Sequence, residues 1–248
     1  MQTWKKTVGL FSLLMVSATS FAENCCEDFF RPVIALSAGL AFTSDAGKSD
    51  DFPLYSSNYD YDAEHNTQNR GVAGGFVGVE FPVYQNWAMQ TGFAYYQTTS
   101  FKASGDLTQG IDPQSAQTYD YHYSIMSRQF LIESKLLTKV YKRFHPYVSV
   151  GLGVASNVAK GYEVDYDPLR DFTPLYEDKT TTSFTYNVGV GVDYALTENL
   201  RFGVGYRFTD LGKAGLGDGE LQKTPIAETL EQSHLYAQEL LFQLSYRI

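Results

Sequence analysis

Residues 187–208, NVGVGVDYALTENLRFGVGYRF, contain the motif Gly-Val-Gly twice. A dinucleotide-binding loop would need a third glycine three residues after the second, but Tyr194 and Phe208 occupy those positions. Large apolar residues recur instead at alternate positions, from Phe184 to Tyr194 and from Leu200 to Phe208. A period of two predicts two β-strands joined by a short turn.

The same alternation recurs along the whole chain and predicts eight strands. They lie near residues 31–43, 70–82, 87–101, 119–136, 146–158, 181–195, 199–211 and 233–248. The connections between them alternate between long and short, which would place all four long loops on one rim of an up-and-down barrel.

The face opposite the apolar one separates a membrane barrel from a soluble one. In the first predicted strand, large apolar residues occupy the alternate positions from Ile34 to Phe42, and the positions between them are mostly Gly, Ala and Ser. A solvated outer face would carry many Lys, Glu and Thr residues, whereas small residues suit the inside of a narrow barrel. The sequence therefore predicts an all-β, eight-stranded antiparallel transmembrane barrel with four long extracellular loops and short periplasmic turns.

The N-terminus predicts export from the cytoplasm. Lys5 and Lys6 precede an apolar run that is too short to span a membrane. Small residues follow at the positions that a signal peptidase reads, and cleavage is expected after Ala22. We therefore expect a signal peptide at 1–22, a periplasmic tail at 23–29 and the barrel domain at 30–248. Cys25 and Cys26 lie in the tail, where they would either cross-link to a partner or stay reduced.

Three stretches resemble the small outer-membrane barrel proteins of Gram-negative bacteria: 146–157 (PYVSVGLGVASN), 203–212 (GVGYRFTDLG) and 242–248 (FQLSYRI). This group includes the OmpA barrel, OmpX, OmpW and opacity-type surface proteins. The resemblance covers nearly all of the barrel domain. It implies location in the outer membrane, with membrane lipid, lipopolysaccharide and the barrel assembly machinery as partners.

The last strand of that family ends in an aromatic residue that the assembly machinery reads. Phe242, Leu244 and Tyr246 fit the alternating pattern, while Ile248 replaces the usual terminal Phe.

Ionisable residues at the inward-facing positions predict a network inside the lumen, because charges there must be paired with opposite charges or hydrated. They are Glu80, Glu133, Lys135, Asp193, Arg201, Arg207, Glu239 and Arg247. The network would either fill a closed barrel or line a narrow path for ions or small solutes. Arg128 falls on the lipid-facing parity unless a bulge shifts it.

A symmetric turn at 196–198 would set the pairing of the 187–208 hairpin. The predicted neighbours are Gly191 with Gly203, Gly189 with Gly205, Asp193 with Arg201, and Asn187 with Arg207. Missing side chains at the glycines would leave room inside for residues such as Arg207.

The long loops are the best candidates for function, because exposed loops on a rigid barrel carry recognition. The chain has 28 acidic and 19 basic residues, so nucleic acid is not an expected partner. Acidic, tyrosine-rich loops favour adhesion or binding of a host or cell-surface ligand. The predicted recognition residues are Tyr55, Tyr59, Tyr61, Asp60, Asp62, Asp165 and Asp167.

An enzymatic alternative rests on His122-Tyr123-Ser124, because lipid A deacylases carry His-x-Ser-Asn on one strand. Ile125 replaces the Asn, and no carboxylate of matching parity is evident to orient the histidine. The four histidines also lack metal-ligand spacing. We therefore predict no enzyme, no cofactor and no metal site, with a narrow channel as the main alternative to a surface protein.

Overall fold

The computed structural model describes residues 30–43, 49–54, 57–64, 67–111, 116–138, 143–165, 173–226 and 228–248. The expected signal peptide, Cys25, Cys26, Tyr55 and Asp167 lie outside these residues. None of the described residues forms a helix long and apolar enough to cross a membrane.

Sixteen strands lie in the described residues, and eight of them build the membrane wall. In chain order they are β1 (Arg31–Thr43), β2 (Asp50–Leu54), β3 (Ser57–Ala63), β4 (Gln68–Tyr84), β5 (Trp87–Thr98), β6 (Phe101–Gly110), β7 (Gln117–Thr138), β8 (Phe144–Val164), β9 (Leu175–Tyr176), β10 (Lys179–Ala195), β11 (Leu200–Asp210), β12 (Ala214–Gly215), β13 (Gly219–Leu221), β14 (Thr224–Ile226), β15 (Glu231–Gln232) and β16 (Tyr236–Arg247).

The wall is a closed antiparallel barrel in the order β1-β4-β5-β7-β8-β10-β11-β16, and β16 pairs back with β1. Closure leaves no unpaired strand edge in lipid. The predicted eight-stranded fold is confirmed.

Side chains alternate between lumen and lipid as the period of two predicts. In β1, Val33 is buried in the lumen whereas Ile34 is 48% exposed on the outer wall. Large apolar side chains form the outer band on every barrel strand, among them Leu36, Val77, Phe93, Ile132, Leu152, Phe184, Phe202 and Leu244. Arg128 also faces outward, since the only register shift between β7 and β8 lies at His122/Ser124, above it.

On one side the barrel sheet continues outward into an extension that was not predicted, here called the extracellular sheet. β5 continues after two residues into β6, and both pair with β7. β3 then pairs with β6, and β2 pairs with β3. Segments 44–69 and 102–118 were predicted as loops, but much of each is strand in this extracellular sheet.

The predicted register of the 187–208 hairpin is wrong by two residues. The turn spans 196–199, so Gly191 lies opposite Gly205 and Asp193 lies opposite Gly203. Thr197 Oγ1 accepts hydrogen bonds from the backbone N–H groups of residues 199 and 200, which stabilises the four-residue turn. A shift of two keeps every side chain on its predicted face but changes its neighbours.

Candidate functional site

The eight ionisable residues predicted for the lumen all lie inside the barrel and form three clusters. The first lies near the periplasmic end, where Glu80 accepts two hydrogen bonds from Arg201, at 2.6 and 3.0 Å. Arg247 donates to the same carboxylate at 3.0 Å, and Gln90 donates at 2.8 Å. Two guanidinium groups thus share one buried carboxylate.

The second cluster joins Lys135 to Asp193. Lys135 Nζ lies 3.0 and 2.8 Å from the two Asp193 carboxylate oxygens and donates to Gln243 Oε1 at 2.9 Å. The ammonium also lies 3.7 Å from the ring centre of Tyr147, within cation–π range. Asp193 was predicted to lie near Arg201; that pairing is wrong, because Arg201 lies opposite Ala195 and bonds Glu80.

The third cluster surrounds Arg207, which is buried. Its Nε donates to Glu239 Oε2 at 2.6 Å, and its Nη1 lies 3.7 Å from Glu133 Oε2. The guanidinium carbon lies 3.7 Å from the ring centre of Tyr96, whose hydroxyl donates to Glu133. Sequence reasoning missed Tyr96 here and Tyr147 below it, although both occupy inward positions.

The glycines of the 187–208 hairpin make this packing possible. A side chain at Gly203 would overlap the Asp193 carboxylate, and one at Gly205 would overlap the Tyr147 hydroxyl. They were predicted to make room for Arg207, but the residues they accommodate are Asp193 and Tyr147.

Little space remains between the second and third clusters. A cavity of about 20 Å³ lies among Tyr96, Lys135 and Arg207, room for roughly one water molecule. Above it, the segment 211–235 folds inward, since the inward side chain of Asn157 donates to the carbonyls of Leu211 and Lys213, both at 2.7 Å. Five leucines of this segment are buried: Leu211, Leu216, Leu221, Leu230 and Leu235.

The inner face of the extracellular sheet is an aromatic core. Tyr61 is fully buried, its hydroxyl lies 3.1 Å from that of Tyr162, and its ring packs edge-on against Tyr121. Tyr59 is 3% exposed and stacks on Phe52. Burial raises the pKa of Tyr61 and of Tyr59 above the ordinary value of 10.0. Tyr59 and Tyr61 were predicted as recognition residues; instead they hold the sheet together.

The outer face of the same sheet is acidic and exposed. Asp62 on β3, Asp106 on β6 and Asp120 on β7 lie directly opposite one another across three strands. Asp51 and Asp60 form the neighbouring pair. We call these five residues the acidic face. Asp60 and Asp62 were predicted as recognition residues, whereas Asp106 and Asp120 were missed because their strand pairing was not foreseen.

Asp165, also predicted for recognition, is exposed at the end of β8, where its backbone N–H donates to the carbonyl of Asp120. The cross-strand register thus brings this loop next to the acidic face. Within the described ranges, no group of three or more His, Cys, Asp or Glu side chains is arranged to hold a metal ion.

Burial and the neighbouring carboxylates raise the pKa of Asp106 above its ordinary value of 3.8, with Asp120 the strongest neighbour. Like charges directly opposite on adjacent strands repel. Repulsion between the carboxylates therefore destabilises the acidic face, and a bound cationic partner would reduce that repulsion.

Three cations lie on the same outer surface closer to the membrane. Lys102 and Lys160 flank Ser124, and Arg128 lies four residues further down β7. In the described part of the chain, none of the three has an ion-pair partner. We call Lys102, Arg128 and Lys160 the cationic belt.

The His122–Ser124 pair lies on this surface too. His122 Nε2 lies 3.5 Å from Glu163 Oε2, so a carboxylate does face the histidine, contrary to the sequence-based expectation. No hydrogen bond joins His122 to Ser124 among the described contacts. The connection that would activate the Ser124 hydroxyl is therefore not formed.

A family model and several solved structures are similar to this chain. Residues 8–247 match the family model described as outer membrane protein beta-barrel domain. The chain is similar to Neisserial surface protein A (14% identity, 88% of this chain and 97% of that one, TM-score 0.42). It is also similar to OprG from Pseudomonas aeruginosa (11%, 86% and 95%, 0.47) and to the outer membrane protease OmpT from Escherichia coli (11%, 89% and 97%, 0.47).

No curated protein matches the chain significantly. The family match spans nearly the whole chain and thus includes all eight strands of the barrel wall. The chain belongs to the outer-membrane β-barrel family.

Proposed function

We propose that this outer-membrane barrel is a non-enzymatic surface protein that binds a cationic partner, such as a basic patch on a host cell or another cell surface, through its acidic face. The observation that carries the proposal is the row formed by Asp62, Asp106 and Asp120. Three carboxylates at cross-strand spacing give a flat surface of one sign, which steers and holds a partner of opposite charge.

The rigid support of this face also favours recognition. β6 is hydrogen-bonded to the barrel strand β7, β3 to β6 and β2 to β3, and the aromatic core around Tyr61 fixes the inner side of these strands. A surface that is already ordered loses little conformational entropy on binding.

The cationic belt would orient the face relative to the membrane. Arg128 lies one row above the lipid-facing Phe130, at a height where phosphate groups of outer-leaflet lipopolysaccharide would meet it. We propose lipopolysaccharide as the lipid partner of this belt. The alternating outward residues of β16 are the proposed signal for the barrel assembly machinery.

The filled lumen disfavours the alternative of a channel. Three ionic clusters and the inward segment 211–235 occupy the space that a solute would cross. Purified protein in planar bilayers should therefore show no steady conductance, and steady single-channel steps that disappear in Arg207→Ala would contradict this part of the proposal.

The binding proposal is tested with cells that display the triple variant Asp62→Asn, Asp106→Asn, Asp120→Asn. We expect at least tenfold weaker attachment to polylysine-coated surfaces and to cultured host cells. The control removes the same charge from exposed sites elsewhere on the extracellular side: Glu177→Gln, Glu220→Gln and Glu228→Gln. Equal losses in both variants, or no loss in the first, would contradict a specific acidic site.

A further inference from the structure

A basic pocket opens at the periplasmic end of the barrel, on the opposite side of the membrane from the acidic face. Its volume is about 490 Å³. Four arginines and a histidine line it: Arg31, Arg143, His145, Arg201 and Arg247. They come from the first residue of β1, the start of β8, the start of β11 and the end of β16, so barrel closure brings them together.

Among the described residues, positive charge exceeds negative charge in this pocket. The carboxylate of Glu80 is shared by Arg201 and Arg247, and Glu198 is the one acidic residue among the described residues that line the wall. The next carboxylate along the lumen, Asp193, bonds Lys135. Guanidinium groups confined together repel one another, so an added anion would lower the free energy of the pocket.

The pocket also holds buried polar atoms without partners in the described structure. His145 is 7% exposed and its Nδ1 makes no hydrogen bond. The Nε atoms of Arg201 and Arg247 are buried and unpartnered as well. A buried polar atom left unpaired costs about 1–3 kcal/mol. Arginine N–H groups and an imidazole nitrogen suit the oxygen atoms of phosphate and carboxylate groups.

We propose that this pocket binds a small soluble anion that carries two or more phosphate or carboxylate groups. The volume lies in the range of small-molecule sites, about 300–1,000 Å³, and exceeds what a single phosphate ion would fill. Arg201 and His145 are buried inside the barrel, and Arg247 donates a hydrogen bond to the buried Glu80, so all three side chains face the pocket rather than lipid. A soluble periplasmic anion therefore fits better than a lipid headgroup, although the two share the same chemistry. The site is separate from the proposed surface binding.

The test uses the full mature barrel in nanodiscs of zwitterionic lipid, titrated calorimetrically with pyrophosphate and with citrate at constant ionic strength. We expect saturable binding at one site. The variant Arg31→Gln, Arg143→Gln changes only the rim and should weaken binding at least tenfold. The matched control, Lys213→Gln with Lys223→Gln, removes two exposed positive charges from the extracellular segment 211–235 and should bind as the wild type does.

A second arm identifies the source of the anion. Binding that persists in nanodiscs containing phosphatidylglycerol supports a soluble ligand, whereas binding abolished by that lipid shows that a headgroup occupies the same anion site. No saturable binding in zwitterionic nanodiscs would overturn the proposal. Equal weakening in the rim variant and the extracellular control would also overturn it, because the effect would then reflect net charge alone.

Discussion

Lys135 Nζ lies 2.8 Å from Asp193 Oδ2, although the two residues belong to β7 and β10 and β8 lies between these strands. The contact therefore joins two strands that are not neighbours in the backbone ladder. Tyr147 on the intervening strand packs under the ammonium. Such side-chain contacts connect barrel strands across the lumen, in addition to the backbone hydrogen bonds between neighbouring strands.

Removing one partner of this pair should destabilise the barrel strongly. Lys135→Met leaves the Asp193 carboxylate buried without a counter-charge, at an expected cost of about 3–5 kcal/mol. Urea unfolding in lipid vesicles, followed by tryptophan fluorescence, measures the change. The double variant Lys135→Met, Asp193→Leu should recover most of the loss, since no charge remains unpaired; a double variant as unstable as the single one would refute this explanation.

Space in the lumen should limit substitution at Gly205. A methyl group there overlaps the Tyr147 hydroxyl, so Gly205→Ala should cost about 1–3 kcal/mol in the same unfolding assay. Gly71→Ala is the control, because its new methyl group would meet Thr99 Cγ2 at 3.5 Å, an ordinary contact. Similar stabilities for the two variants would show that the lumen relaxes around Gly205.

The aromatic core should hold the extracellular sheet independently of the barrel. Tyr61→Ala removes a fully buried ring and should weaken the sheet by about 3–5 kcal/mol. Limited proteolysis should then cut within 44–67 and 111–116 faster, while the barrel keeps its strand content by circular dichroism. Tyr61→Phe keeps the ring and should lose only about 1 kcal/mol for the hydrogen bond to Tyr162. Unchanged cleavage in the alanine variant would contradict a supporting role for the core.

The acidic face should be more stable at low pH. The pKa of Asp106 is raised in the folded protein, so its favourable contribution is complete below the ordinary value of 3.8 and is lost as the pH rises through the folded value. Asp106→Asn should therefore slow hydrogen exchange of the β6 amides relative to the wild type at pH 7. After correction for intrinsic exchange, the difference should vanish near pH 3. A difference that persists at pH 3 would indicate a cause other than charge repulsion.

Alternation together with the small residues at the inward positions predicted the barrel, because each wall residue contacts either lipid or lumen and the two environments select different side chains. The alternation of Tyr59, Tyr61 and Ala63 in β3 carries the same signal, but their tyrosines resemble those of recognition loops. Burial, which only the pairing with β6 reveals, separates the two interpretations.

The partners of the lumen charges could not be predicted from the sequence. The alternation of the strands placed Asp193 and Lys135 inside, yet a register shift of two residues moved Asp193 away from its expected neighbour. Contacts between strands that are not adjacent depend on barrel tilt and diameter, which no local pattern contains. The basic pocket was missed for the same reason, since its arginines come from four separate strand ends.

β7 runs without interruption from the periplasmic turn to the tip of the extracellular sheet, 22 residues or about 70 Å. Its upper half carries Asp120 and its lower half lies in the wall. A partner that pulls on the acidic face would thus pull β7 along its own axis. The hydrogen bonds of β7 to β5, β6 and β8 lie across that direction and are loaded in shear, so many of them must break at the same time. If a cell were attached through the acidic face, this arrangement would resist tension such as the drag of flowing liquid, because the load would pass along one continuous strand into the membrane wall.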